Sequence, residues 1–93
     1  MKQETKIKNA LRNVKIYDNQ GETFDRYTAA YTDWEGAKPY YCAMRCMSSD
    51  PFSPNGFGQM SEGEPGAHIG KRIKFSDLPE LCQKLVIQDR TQP

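Results

Sequence analysis

The chain has 93 residues, 13 Lys and Arg against 12 Asp and Glu, and a formal net charge of +1. That length fits one small domain, which buries only about 60 to 65% of the surface its unfolded chain exposes. The near balance of charge excludes both a strongly basic nucleic-acid binder and an acidic mimic of DNA. No apolar run approaches the roughly 18 residues that a membrane-spanning helix needs, and Met1 to Lys8 is polar, so a soluble cytoplasmic protein is expected.

The opening segment carries Lys2, Lys6, Lys8, Arg12 and Lys15 against Glu4, while Ile7, Ala10, Leu11 and Val14 recur at helical spacing. A short amphipathic helix starting near Thr5 follows. From Asn13 the period changes to two, with Val14 and Ile16 alternating against Lys15 and Tyr17 until Asp18-Asn19-Gln20-Gly21 supplies turn chemistry. Arg26 to Thr32 places Tyr27, Ala29 and Tyr31 on one strand face and Arg26, Thr28 and Thr32 on the other. After a turn at Asp33 to Gly36, Tyr40 to Met47 sets Tyr40, Cys42, Met44 and Cys46 opposite Tyr41, Ala43, Arg45 and Met47. Three strands joined by short turns predict an antiparallel meander.

Ser48 to Gly70 is rich in Ser, Pro and Gly and is expected to be a long surface loop, anchored by Phe52, Phe57 and Met60. Ile69, Ile73 and Phe75 alternate with Arg72 and Lys74, predicting a strand over Lys71 to Phe75. Leu78, Leu81, Cys82, Leu85 and Val86 then fall at i, i+3, i+4, i+7 and i+8, which predicts a helix over Leu78 to Gln88. Asp77 as N-cap, with Glu80 three residues on, would form its capping box, and Pro79 suits a first turn. The expected fold is α+β: a single domain over residues 1–93 with three or four antiparallel strands, a C-terminal helix on one face and a short N-terminal helix.

The residues with chemical potential point away from catalysis. His68 is the sole histidine and sits among Gly66, Ala67, Ile69 and Gly70, a loop setting in which a local hydrogen bond is the ordinary role. Cys42, Cys46, His68 and Cys82 have the composition of a zinc site, but a strand holds Cys42 and Cys46 about 13 Å apart at roughly 3.3 Å per residue. Reduced thiols packed as small apolar side chains are expected, with no metal and no cofactor. Gly66 to Lys71 misses the phosphate-binding loop by one spacer, has Arg72 where Ser or Thr belongs and leads into a strand.

The candidate contact residues are Asp33, Trp34 and Glu35, a turn tryptophan between acids; Arg26; Phe57 in the long loop; and the cations Lys71, Arg72 and Lys74, which could touch phosphates. They come from expected exposure and chemistry.

The segments IYDNQGETFDRYTAAYTD, PFSPNGFGQ and HIGKRIKFSDLPELCQKLV together resemble small proteins of phages and mobile elements. Among those, the chain looks most like an anti-CRISPR protein of the class that inhibits the type I-F surveillance complex. The resemblance spans roughly residues 16 to 90. It implies stoichiometric, non-enzymatic inhibition in a bacterial host cytoplasm, with the protein docked on CRISPR effector subunits, along the backbone subunits or the target-recognition subunit, and blocking target DNA hybridisation. The cations Lys71, Arg72 or Lys74, read from the residues themselves, could then touch guide RNA. Neither a membrane nor a small-molecule substrate enters. The rival expectations are a small nucleic-acid-binding or regulatory protein, carried by the same cations and exposed aromatics, and an enzyme using Cys46 or Cys82 as nucleophile.

Overall fold

The computed structural model describes residues 8–34, 40–50, 52 and 59–91. Residues 8–10 are helical and lead into β1 (Val14–Asp18), followed by β2 (Tyr27–Tyr31), β3 (Cys42–Met47), β4 (Gln59–Gly63) and β5 (Lys71–Ile73). The chain then forms helix α1 (Glu80–Thr91), with 3-10 turns at Ala67–Ile69 and Phe75–Asp77. All five strands join one antiparallel sheet in the order β4-β3-β2-β1-β5. The α+β architecture therefore stands, with one strand more than the sequence predicts.

The extra strand is β4, which lies inside the stretch expected to be loop. Its sequence, Gln-Met-Ser-Glu-Gly, contains no β-branched residue and only a weak alternation. It is a strand because β3 pairs with it, from Cys42↔Gly63 to Cys46↔Gln59. Sheet edges of this kind are made by tertiary pairing, which no local pattern reports.

β2 lies at the centre of the sheet and is buried on both faces along its whole length. Its Ala29 and Ala30 are fully buried, small side chains that suit a strand covered from both sides. On one face Ile16, Tyr27, Ala29, Tyr31, Ala43 and Met47 pack against Leu78, Cys82 and Val86 of the C-terminal segment. Each fully buried aliphatic side chain there contributes on the order of 1.5–3 kcal/mol. On the other face Tyr17, Ala30, Cys42 and Met44 form a smaller cluster, with Ile69 packed on it.

The helix departs from expectation at its start. It begins at Glu80 instead of Leu78 and runs to Thr91. Asp77 does not cap it: its Oδ2 accepts the backbone N–H of Lys74 at 3.1 Å and closes the preceding 3-10 turn. The Pro79 carbonyl accepts the Gln83 N–H at 3.0 Å, and the Gln83 side chain donates to the Leu78 carbonyl at 2.9 Å. Leu81, placed on the buried face by its spacing, is 38% exposed, because Leu78, Cys82 and Val86 already fill the i, i+4, i+8 stripe over the sheet. β5 ends at Ile73, two residues earlier than predicted, since Phe75 enters the 3-10 turn.

Gly70 joins this last region to the sheet. Its φ of +139° and the approach of Asp18 leave no room for a side chain, since a Cβ there would lie 2.7 Å from the Asp18 carbonyl carbon. That close approach is what lets β5 pair with the end of β1.

Candidate functional site

The expected contact residues separate to the two ends of β2. At the far end, Trp34 follows β2 and is 46% exposed. With Tyr31, Ala43, Met60, Asp89 and Arg90 it lines a cleft of about 480 Å³ between the last turn of α1 and β4. Asp33 is not a free acid beside it. Arg90 donates two hydrogen bonds to its carboxylate, one at 2.9 Å, and this pairing holds the Asp33 carboxyl below the usual range. Arg90 also donates from Nε to the Ala10 carbonyl at 2.8 Å and lies over the Tyr31 ring. One arginine thus ties the N-terminal segment, the β2–β3 turn and α1 together.

The floor of this cleft is a second network. Arg45 projects from β3 onto the helix-covered face, as its alternation with Ala43 and Met47 requires. Asp89 of α1 meets it there, accepting from Arg45 Nε at 2.7 Å and Nη2 at 2.6 Å, and from the Tyr31 hydroxyl at 2.8 Å. Burial, with the adjacent Asp89 carboxylate second, raises the Tyr31 phenol far above its ordinary value. Such a network gives rigidity and orients the surface around Trp34; a phenol held protonated is no general base.

At the near end, the β1–β2 turn carries a residue that the sequence reasoning missed. Phe24 is 68% exposed, the most exposed of the large apolar side chains described. Its support is heavily hydrogen-bonded. Asn19 Oδ1 accepts the N–H groups of Gly21 (2.9 Å) and Glu22 (3.1 Å), while Asn19 Nδ2 donates to Thr23 Oγ1 (2.8 Å) and the Asp25 carbonyl. Asp18 Oδ1 accepts the Gln20 N–H at 2.7 Å, and Gln20 takes the left-handed conformation at φ 63° that the tight turn demands. The available signal was one apolar residue inside an otherwise polar Gly-Glu-Thr-Phe-Asp turn.

Arg26 stands at this same end, paired with Asp18 at 2.8 and 3.1 Å and lying over the Tyr27 ring. The Arg26 hydrogen bond pulls the Asp18 carboxyl below its usual range. Lys71 is the register partner of Asp18 on β5, and Glu22 and Asp50 lie beside Phe24 around a shared hollow. Arg72 is exposed, with its guanidinium 5.9 Å from the Tyr17 ring centre, and Lys74 is exposed just beyond β5. Glu35 and Phe57 lie outside the described residues.

The thiols do not converge. Cys42 and Cys46 belong to the sheet face opposite Cys82, and the described residues contain no group of three or more side chains able to hold a metal ion. Cys82 is fully buried, donates to the Ser48 carbonyl at 3.1 Å, and burial pushes its thiol up to about 11. That is the reverse of the activation a nucleophilic cysteine needs. Gly66 to Gly70 forms a 3-10 turn leading into β5, without the helix N-terminus of a phosphate-binding loop. No helix among the described residues is long and apolar enough to cross a membrane.

No family model matches the chain, and neither a curated protein nor a solved structure matches it.

Proposed function

We propose that this chain works by occupying a protein surface, without catalysis, and that its contact centre is the Phe24 end of the sheet. The observation that carries this reading is Phe24 itself, 68% exposed on a turn locked by the Asn19 hydrogen bonds. An exposed aromatic on a rigid support loses little entropy on docking, the property of a binding hot spot. The charge around it is mixed: Asp18, Glu22, Asp25 and Asp50 against Arg26 and Lys71. Such a rim suits a protein partner better than a row of phosphates.

The specific target we propose is the type I-F CRISPR surveillance complex, on the resemblance of the segments around residues 16–33, 51–59 and 68–86 to anti-CRISPR proteins. The site of action is then the bacterial host cytoplasm. The test is a target-DNA mobility shift with purified surveillance complex and increasing amounts of the chain. DNA binding is expected to fall in proportion to occupancy, and Phe24→Ala is expected to need at least about tenfold more protein, as truncated aromatic anchors do. Unimpeded DNA binding at excess wild-type protein removes the target. Equal inhibition by Phe24→Ala removes the contact surface.

A nucleic-acid-binding or regulatory role is the second reading, favoured by the exposed Lys71, Arg72 and Lys74 along the β5 edge. Binding of single-stranded RNA or DNA by the isolated chain, weakening steeply with salt, would replace the first reading with this one.

A further inference from the structure

The two edges of the sheet are unlike. β5 is three residues long, two of them Lys71 and Arg72, with Lys74 just beyond: a short cationic edge of the kind that repels an incoming strand. β4 is five residues long and carries one charge, Glu62, and no basic residue, with Glu64 and Pro65 just beyond it. Beside it lies the open cleft of about 480 Å³, walled by two half-exposed apolar side chains, Trp34 at 46% and Met60 at 51%. Among the described residues, a short edge bearing Lys71 and Arg72 on one side and a longer edge without basic residues against an apolar cleft on the other mark β4 as the pairing edge.

We infer that the occupant of this edge is a second copy of the chain, paired antiparallel through β4 about a two-fold axis at Ser61. The strand is self-complementary in that register. Gln59 falls opposite Gly63, Met60 opposite Glu62, and the small Ser61 meets itself on the axis. No like charges face one another. In the monomer, Tyr31, Ala43 and Glu62 occupy one cross-strand row on the helix-covered face. Pairing extends that row by the second copy's Met60, whose exposed thioether enters the cleft beside Trp34. Each copy fills the other's cleft, and the two sheets become one of ten strands with both helices on the same side. Phe24, at the other end of β2 from Trp34, stays available, so this inference does not depend on the target proposed above.

Trp34 is the only tryptophan, so its emission reports the cleft directly. Sedimentation equilibrium with the full chain, from about 10 μM to about 1 mM, spans the affinities expected of a small interface. The weight-average mass is expected to rise from 10.6 kDa toward twice that value, with a blue shift of Trp34 emission over the same range. Ser61→Lys sets two ammonium groups opposite each other on the axis, and Met60→Glu sets a carboxylate opposite the second copy's Glu62. Each is expected to weaken association at least about tenfold while the circular dichroism of the folded chain is kept. Should Ser61→Lys fail to fold, Met60→Glu carries the test alone. A mass of one chain at about 1 mM overturns the inference, as does a dimer that both folded variants retain.

Discussion

Asp89→Ala is expected to destabilise the fold by about 3 kcal/mol, the low end of what breaking a buried ion pair costs. The lost carboxylate accepts from Arg45 at 2.7 and 2.6 Å and from the Tyr31 hydroxyl at 2.8 Å. The Arg45 side chain is only 20% exposed and that of Asp89 12%, so the variant takes the Asp89 carboxylate away from a largely desolvated guanidinium. The residual exposure of Arg45 argues for the low end. Tyr31→Phe, which removes the hydroxyl alone, is expected to cost about 1 kcal/mol, the net worth of a typical hydrogen bond. Against a total stability on the order of 5–15 kcal/mol, the first loss is large. It corresponds to a fall in Tm of roughly 12 to 24 °C for a domain of this size. Urea unfolding followed by circular dichroism, with linear extrapolation, measures both. The double replacement Arg45→Met with Asp89→Leu removes both charges together and is expected to recover most of the loss. A cost under about 1 kcal/mol for Asp89→Ala would show the pair to be a solvated surface contact. A double variant no better than the single one would likewise refute the argument from desolvation.

Three further outcomes are expected. Alkylation of the folded chain at neutral pH should modify the half-buried Cys46 well before the buried Cys42 and Cys82, followed by mass spectrometry; fastest reaction at Cys82 would restore the nucleophile reading. Gly70→Ala should destabilise by about 2 kcal/mol, because the added carbon meets the Asp18 backbone at 2.7 Å in a left-handed conformation, and amide exchange in β5 should rise with it. Stability should fall at both pH extremes. Asp18 and Asp33 are held below the usual 3.8 by Arg26 and Arg90, so their contribution is present above about pH 4 and lost as pH falls through the lower folded values. Cys82 is raised from 9.0 to about 11 and Tyr31 is raised too, so theirs is present below the unfolded values and lost as pH climbs from about 9. Thermal midpoints across the pH range check this, and Arg90→Gln should flatten the acid limb.

The candidate site was only partly legible. Trp34 stood out as a turn aromatic, and it does line a cleft. Asp33 beside it is exposed as expected, and its pairing with Arg90, 57 residues away, is what the sequence did not show. Arg26, expected as an exposed contact residue, is exposed and also paired with Asp18 across the turn. Phe24 carried only the weak signal of one apolar residue in a polar turn, which does not say whether that residue folds inward or points outward.

Alternation alone determined β1, β2 and β3 to within two residues at each end, and the helical spacing of Leu78, Cys82 and Val86 determined which side of the C-terminal segment meets the sheet. These are local periodicities, set by where successive side chains point along a backbone. Tertiary structure decided the rest: that Gln59–Gly63 is a strand, that Asp77 closes a 3-10 turn, and that Arg45 finds Asp89, 44 residues along the chain. Each of these depends on a partner distant in sequence, so the free energy that selects it exists only once the chain has folded around it.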